Sequence, residues 1–133
     1  MRNISFSVTT EKFRSRRKHV TRRLKWLNLK PGDLLMGCEK VRGIRKGELV
    51  RIGPITILEV NREPLTQIIR EYYRAIPESI CDVYVDVPGS VSEMVLEGFP
   101  ELTPKQFVEM FCNMNDCEPE TKITRILFDY GVV

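Results

Sequence analysis

Between Arg14 and Trp26 the chain reads Arg-Ser-Arg-Arg-Lys-His-Val-Thr-Arg-Arg-Leu-Lys-Trp, the densest run of chemistry-bearing side chains in the sequence. His19 to Leu24 is compatible with a strand, in which side chains repeat every two residues, so His19, Thr21 and Arg23 share one face and Lys18 folds over it. An amine, a hydroxyl, a guanidinium and an imidazole then surround one spot, a set suited to hydrogen bonding with phosphate, carbonyl or base-edge groups. A basic, exposed strand edge accounts for the same residues, and spacing alone leaves both readings open. His19 is expected to face solvent or a phosphate. As the chain's only histidine, it gives a ribonuclease mechanism of the paired-histidine kind no second partner. Trp26 follows the basic strand, where an aromatic ring either stacks on a base or packs against the body of the protein.

The elements that must hold these groups can be read from hydrophobic period and turn chemistry. Ile4, Phe6 and Val8 alternate with polar residues as in a half-buried strand, and Thr9 or Thr10 can cap a short helix from Glu11 to about Arg16. Lys30-Pro31-Gly32-Asp33 is a turn opening a strand over 33–41. The Gly- and Lys/Arg-rich stretch 42–47 is a hairpin loop, and a long strand over 48–60 is expected to bulge at Gly53-Pro54. Pro64 suits the first position of a helix over 65–75, with Leu65, Ile68, Ile69 and Tyr72 at helical spacing. The stretch 77–89 is either a short strand or an extended loop. Ser90 or Ser92 can cap a helix to Leu96. Thr103-Pro104 is a strong start for a helix through Met114 that turns Phe107, Met110 and Phe111 inward. Lys122 to Tyr130 closes the chain as a strand, with Ile123, Ile126 or Leu127, and Phe128 as core candidates.

With 133 residues and 42% hydrophobic content, the sequence is read as one α+β domain, 1–133, able to bury a core unaided. No apolar run reaches the roughly 20 residues of a membrane helix, and no secretory h-region follows Met1, so a cytoplasmic setting is expected. Cys38, Cys81, Cys112 and Cys117 are then expected as reduced thiols. Their spacing lacks the tight pairs of zinc sites, so neither a metal nor a cofactor is expected. The charge is strongly polarised: residues 1–62 carry 16 Lys+Arg and 5 Asp+Glu, residues 63–133 carry 5 and 13. A basic face including Arg14, Arg16, Arg17, Arg22, Lys25 and Lys46 would attract a polyanion or a phosphorylated ligand. An ordinary solvated surface of both signs is the alternative.

Lys18-x-x-Thr21-x-Arg23 resembles the G-x-K-x-x-T-x-R signature of ASCH domains, small β-barrels related in fold to PUA RNA-binding domains. The surroundings resemble the family too: a strand and short helix before the motif, Pro31-Gly32-Asp33-Leu34-Leu35 opening the next strand, Val60 ending a long strand before a helix, and Glu97-Gly98-Phe99 ahead of another. The resemblance implies a PUA-like barrel of about five to six strands with flanking helices. Two features depart from it. Arg16 replaces the motif's glycine, which removes that residue's backbone freedom and narrows ligand approach; the stretch 70–94 has the length of an insertion beside the pocket.

The resemblance further implies a cleft that binds RNA, other single-stranded nucleic acid, a nucleotide or a modified nucleoside, with Arg16, Arg17, His19, Arg22, Arg23 and Trp26 as contact residues. In one branch of the family the motif lysine, the threonine and a downstream glutamate serve an amidohydrolase that removes an acyl group from N4 of cytidine. Those roles fall here on Lys18 as base, Thr21 as nucleophile and Glu97 as the carboxylate that orients or stabilises the amide. A third reading, from a different class, is a non-catalytic interaction protein whose acidic C-terminal half docks a partner.

Overall fold

In the computed structural model, which describes residues 1–81 and 91–132, the N-terminal alternation forms β1 (Arg2–Ser5). Ile4 and Phe6 enter the core, but the chain leaves the strand after Ser5 and Val8 is exposed. The first helix, α1 (Thr10–Arg14), drops Phe13 onto the Phe6 ring, with centroids 4.1 Å apart. Next come β2 (Val20–Arg23), β3 (Leu34–Cys38) and β4 (Arg51–Pro64), and the chain closes on β7 (Lys122–Tyr130). These strands form a five-stranded sheet in the order β1-β3-β4-β7-β2, parallel between β1 and β3 and antiparallel elsewhere.

The sheet curls into a half-barrel, with helices flanking it. The register of β4 slips between Ile57 and Glu59 against β7, and opposite Gly37/Cys38 against β3. Such irregularities bend a strand and increase its twist; the second lies beside Gly53, where a bulge is expected from sequence. Curling brings the two sheet edges, β1 and β2, toward one another, and Arg23 Nη2 donates to Ser5 O across that seam at 2.5 Å. Gly37 is required where α1 crosses β3, because a Cβ there would lie 2.2 Å from Phe13 Cζ. Ile4, Phe6, Phe13, Leu35, Ile55, Ile57 and Phe128 fill the concave side.

The expected helix over 65–75 is a single turn, α2 (Gln67–Arg70). Pro64 stays in β4, paired with Lys122, and the Leu65 and Thr66 amides donate to Thr121 O and Pro119 O. Tertiary pairing thus overrides the helical spacing: Leu65 and Ile68 are buried, whereas Ile69 is exposed. The region 70–94 contributes β5 (Tyr73–Arg74), α3 (Glu78–Cys81) and β6 (Val91–Ser92), with β5 and β6 paired as a small second sheet. The strand-or-loop alternative over 77–89 lies mostly outside the described residues, as does the Ser90 cap.

Ser92 caps α4 (Glu93–Glu97), its hydroxyl accepting from the Met94 amide. Thr103 and Gln106 form a capping box on α5 (Pro104–Asn115), with Pro104 at its start, as the sequence indicates. Among the described residues, no helix is long and apolar enough to cross a membrane.

Candidate functional site

The turn after α1 aims the motif lysine inward. Arg16 has φ of 60°, the left-handed region, which costs a non-glycine residue roughly 1 kcal/mol. Arg16, at the position of the motif's glycine, thus holds a backbone conformation that glycine adopts without that cost. The Arg17 and Lys18 amides both donate to Lys12 O, and Lys18 ends up 2% exposed. Its Nζ donates to Glu97 O at 2.5 Å and to Glu97 Oε1 at 3.0 Å.

Glu97 is presented by the last turn of α4, which stops at once because Gly98 has φ of 94°. A side chain at Gly98 would be strained at this φ, and its Cβ would lie 3.2 Å from Lys12 Cβ. Phe99 follows, and its ring centroid lies 5.9 Å from Lys18 Nζ. On β2, Thr21 Oγ1 accepts from Arg23 Nε at 2.9 Å. Lys18, Thr21, Arg22, Arg23 and Glu97 line a cleft of about 220 Å³ together with Phe99 and, from α5, Phe107, Met110 and Phe111.

Behind Lys18 lies a buried chain of charges. Arg22 Nη1 donates to Glu97 Oε2 at 2.8 Å and Nη2 to Glu93 Oε1 at 2.6 Å. Arg125 grips Glu93 from the sheet side, at 2.7 and 3.0 Å, and reaches half-exposed Glu59 at 3.3 Å. Among the described residues the cations Lys18, Arg22 and Arg125 thus meet two buried carboxylates, Glu93 and Glu97, and the half-exposed Glu59. Charge in a dry interior is costly, and an arginine does not release its proton in a protein, so Lys18 is the cation of the three whose protonation burial can shift. Burial accordingly pulls its pKa below the ordinary 10.5; Glu97 opposes this, and Arg23 and Arg22 reinforce it. Burial also lowers Arg23, to about 10, against the pull of Glu97.

Not every sequence candidate reaches the cleft surface. His19 is 1% exposed, its Nδ1 3.0 Å from Phe128 O and its ring 5.1 Å from that of Tyr130, so it belongs to the core and does not face solvent or a phosphate. The cause is that both faces of this stretch are covered: His19 O still accepts from the Phe128 amide of β7, and His19, Val20, Thr21 and Arg22 are all buried. Arg22 borders the cleft but is buried, with both terminal nitrogens bonded to glutamates, so it does not belong to a solvent-exposed basic face. Arg16 and Arg17 are exposed, with the Arg16 guanidinium 5.6 Å from the Tyr130 ring. Trp26, also at positive φ, lies outside the cleft beneath the Arg2 guanidinium at 4.2 Å.

Glu93, Arg125 and the aromatic wall from α5 escape the sequence reading as parts of the site. The spacing of Glu93 and Glu97, four apart and hence on one helix face, is the signal that could have found the first. Among the described residues no group of three or more His, Cys, Asp or Glu is arranged to hold a metal ion. Cys112 and Cys117 lie with their sulfurs 3.9 Å apart, unbridged, and burial together with the Cys117 hydrogen bond pushes the Cys112 thiol up to about 11.

No protein-family model matches the chain, and no curated protein matches it. Two solved structures share its fold. The "hypothetical protein PH0355" superposes with a TM-score of 0.57 at 12% identity, over 97% of this chain and 95% of that one. Protein EF3133 from Enterococcus faecalis V583, described with the family model DUF984, gives a TM-score of 0.50 at 14% identity, over 90% of this chain and 67% of that one.

Proposed function

We propose that the cleft binds the base of a nucleotide or modified nucleoside. The observation that carries this is the mixed lining of the cleft: aromatic and methionine side chains and a set of directed donors and acceptors border the same 220 Å³ or so. A planar heterocycle needs both, a π-face to stack on and polar groups at its edge. A hollow of this size suits one base better than a folded strand of RNA. The resemblance of Lys18, Thr21, Arg23 and Glu97-Gly98-Phe99 to the ASCH pattern supports the same ligand class, and the half-barrel is compatible with it. Titrating labelled protein with cytidine, uridine and N4-acetylcytidine, and following Thr21, Glu97 and Phe107 by NMR, tests it. Shifts confined to the cleft lining are expected; no shift at millimolar nucleoside in the folded protein sinks the proposal.

A second reading, acyl removal from N4 of cytidine, is favoured by one specific feature: Thr21 Oγ1 already accepts from Arg23, so its own proton is the one available to a base. In this mechanism Lys18, pushed by burial toward the free amine, takes that proton as Thr21 Oγ attacks the acyl carbonyl. The tetrahedral adduct collapses with cleavage of the C–N4 bond. Lys18 returns the proton to the departing amine, and water then hydrolyses the Thr21 ester to release the acid. Glu97 holds Lys18 in place through Oε1 and its backbone carbonyl. Turnover of N4-acetylcytidine should rise as pH climbs through the lowered Lys18 pKa, and Thr21→Ala should abolish it. Lys18→Arg should retain binding without turnover. Activity that survives Thr21→Ala removes the nucleophile, and a wild type inactive between about pH 6 and 10 leaves binding as the function.

A further inference from the structure

Beside the cleft lies a second hollow of about 420 Å³, whose described lining includes Asn3, Ser5, Arg23, Trp26, Lys40 and Arg42. Arg23, Ser5 and Ser7 line both hollows, so the two meet at the seam between β1 and β2. The groove's lining brings together three cations, Arg23, Lys40 and Arg42, and no acid. Arg2, stacked over the Trp26 ring, adds a fourth cation close by. The nearest acid in sequence, Glu39, is turned away into a 2.5 Å ion pair with Arg14. Arg23 commits Nε to Thr21 and Nη2 to Ser5 O, which leaves Nη1 to reach an anion.

We propose that this groove is a phosphate subsite continuous with the cleft, so that the ligand is a phosphorylated nucleoside or a single strand and not a free nucleoside. The proposal rests on the base-binding reading above. Its physical basis is the grouping of like charges in a groove whose described lining holds no acid, next to a serine- and asparagine-lined floor. Cations so placed gain from an anion between them, and hydroxyl and amide donors supply the uncharged contacts that phosphate oxygens also accept. Arg23 joins the two subsites: it orients Thr21 on the cleft side and presents positive charge on the groove side. A monoester and a phosphodiester present the same oxygens, and strand length separates them.

Trp26 is the only tryptophan in the chain, so its fluorescence reports on this groove and not on the cleft. The experiment titrates wild type and the Lys40→Gln/Arg42→Gln variant with cytidine, cytidine 5′-monophosphate, a four-residue oligocytidylate, inorganic phosphate and polyglutamate. Cleft occupancy is read in parallel by NMR at Thr21 and Phe107. Phosphorylated ligands should perturb Trp26 and bind at least about tenfold tighter than cytidine, the gain of a charge-assisted contact. The variant should lose that gain and keep its cytidine affinity. A further gain with the oligonucleotide identifies a phosphodiester; none beyond the mononucleotide identifies a monoester. Cytidine binding with no gain from phosphate overturns the subsite and leaves the base cleft standing. Lys40- and Arg42-dependent phosphate binding without any cytidine binding supports the groove and refutes the base cleft. Equal perturbation of Trp26 by polyglutamate would show a generic anion surface and overturn the assignment.

Discussion

At the scale of single residues, the protonation of buried groups decides what the site can do. Lys18 is held below its usual range by burial, and the same burial lowers His19, against opposing pulls from Phe128 O and Asp129. The His19 shift has a consequence for stability. An imidazole whose folded pKa lies below its unfolded value of 6.5 stabilises the fold fully above that value, and the contribution is lost as pH falls toward the folded pKa. Over that window stability should drop by up to about 1.4 kcal/mol per pH unit. Urea denaturation at a series of pH values between about 7 and 4.5 measures it, with His19→Phe expected to flatten the part of the slope due to this group. An unchanged slope in the variant rules out His19 as the cause. The grouping of Lys18, Thr21 and Arg23 on the cleft is legible from a strand's period of two, and Glu97 only through the resemblance to the ASCH pattern. Burial of His19 and Arg22 is not, since a period-2 pattern names two faces without saying which of them is dry.

At the scale of elements, local chemistry and long-range pairing divide the outcome. The Thr103-Pro104 start of α5 and the apolar run of β7 are local signals, and both elements stand where the sequence puts them. The 65–75 helix fails because its first residues are recruited by Thr121 and Pro119, partners more than fifty residues away that no window along the chain contains. α4 has only five residues, too few to be stable alone. Tertiary ties hold it: the Ser92 cap, the Gly98 stop and the grip of Arg22 and Arg125 on Glu93. That is how a short helix can carry Glu97 rigidly enough to seat Lys18. Packing of α1 over β3 depends just as closely on Gly37, where an added methyl would collide with the Phe13 ring. Gly37→Ala should therefore cost about 1–3 kcal/mol in chemical denaturation, the range for overpacking. Phe13→Leu in the same chain should recover part of the loss; a neutral Gly37→Ala would show that α1 is free to shift.

At the scale of the whole molecule, charge is sorted along the chain and folding sorts it further. Of the cations in the first half, Arg14 is neutralised by Glu39 and Arg22 is sealed between two glutamates, whereas Arg16, Arg17, Lys25, Lys40 and Arg42 remain exposed. The acids of the second half include exposed Asp116, Glu118 and Glu120 just beyond α5, the helix that forms the cleft's aromatic wall. A polyanion approaching the cleft is thus repelled from one side and drawn along the other, toward the seam. If a single strand runs along the exposed basic face with about three phosphates contacted, Arg16 and Arg17 among their partners, counterion release gives a log-log salt slope of about −2, roughly a sixteenfold loss between 50 and 200 mM salt. Arg16→Glu with Arg17→Glu should make that slope shallower by about one unit. Arg22→Gln should leave it unchanged while lowering stability, because that charge is already spent on Glu93 and Glu97. Fluorescence anisotropy of a labelled single strand over a salt series reads both. A flat salt response, or a slope that falls with Arg22 and not with Arg16 and Arg17, would place the polyanion somewhere other than this face.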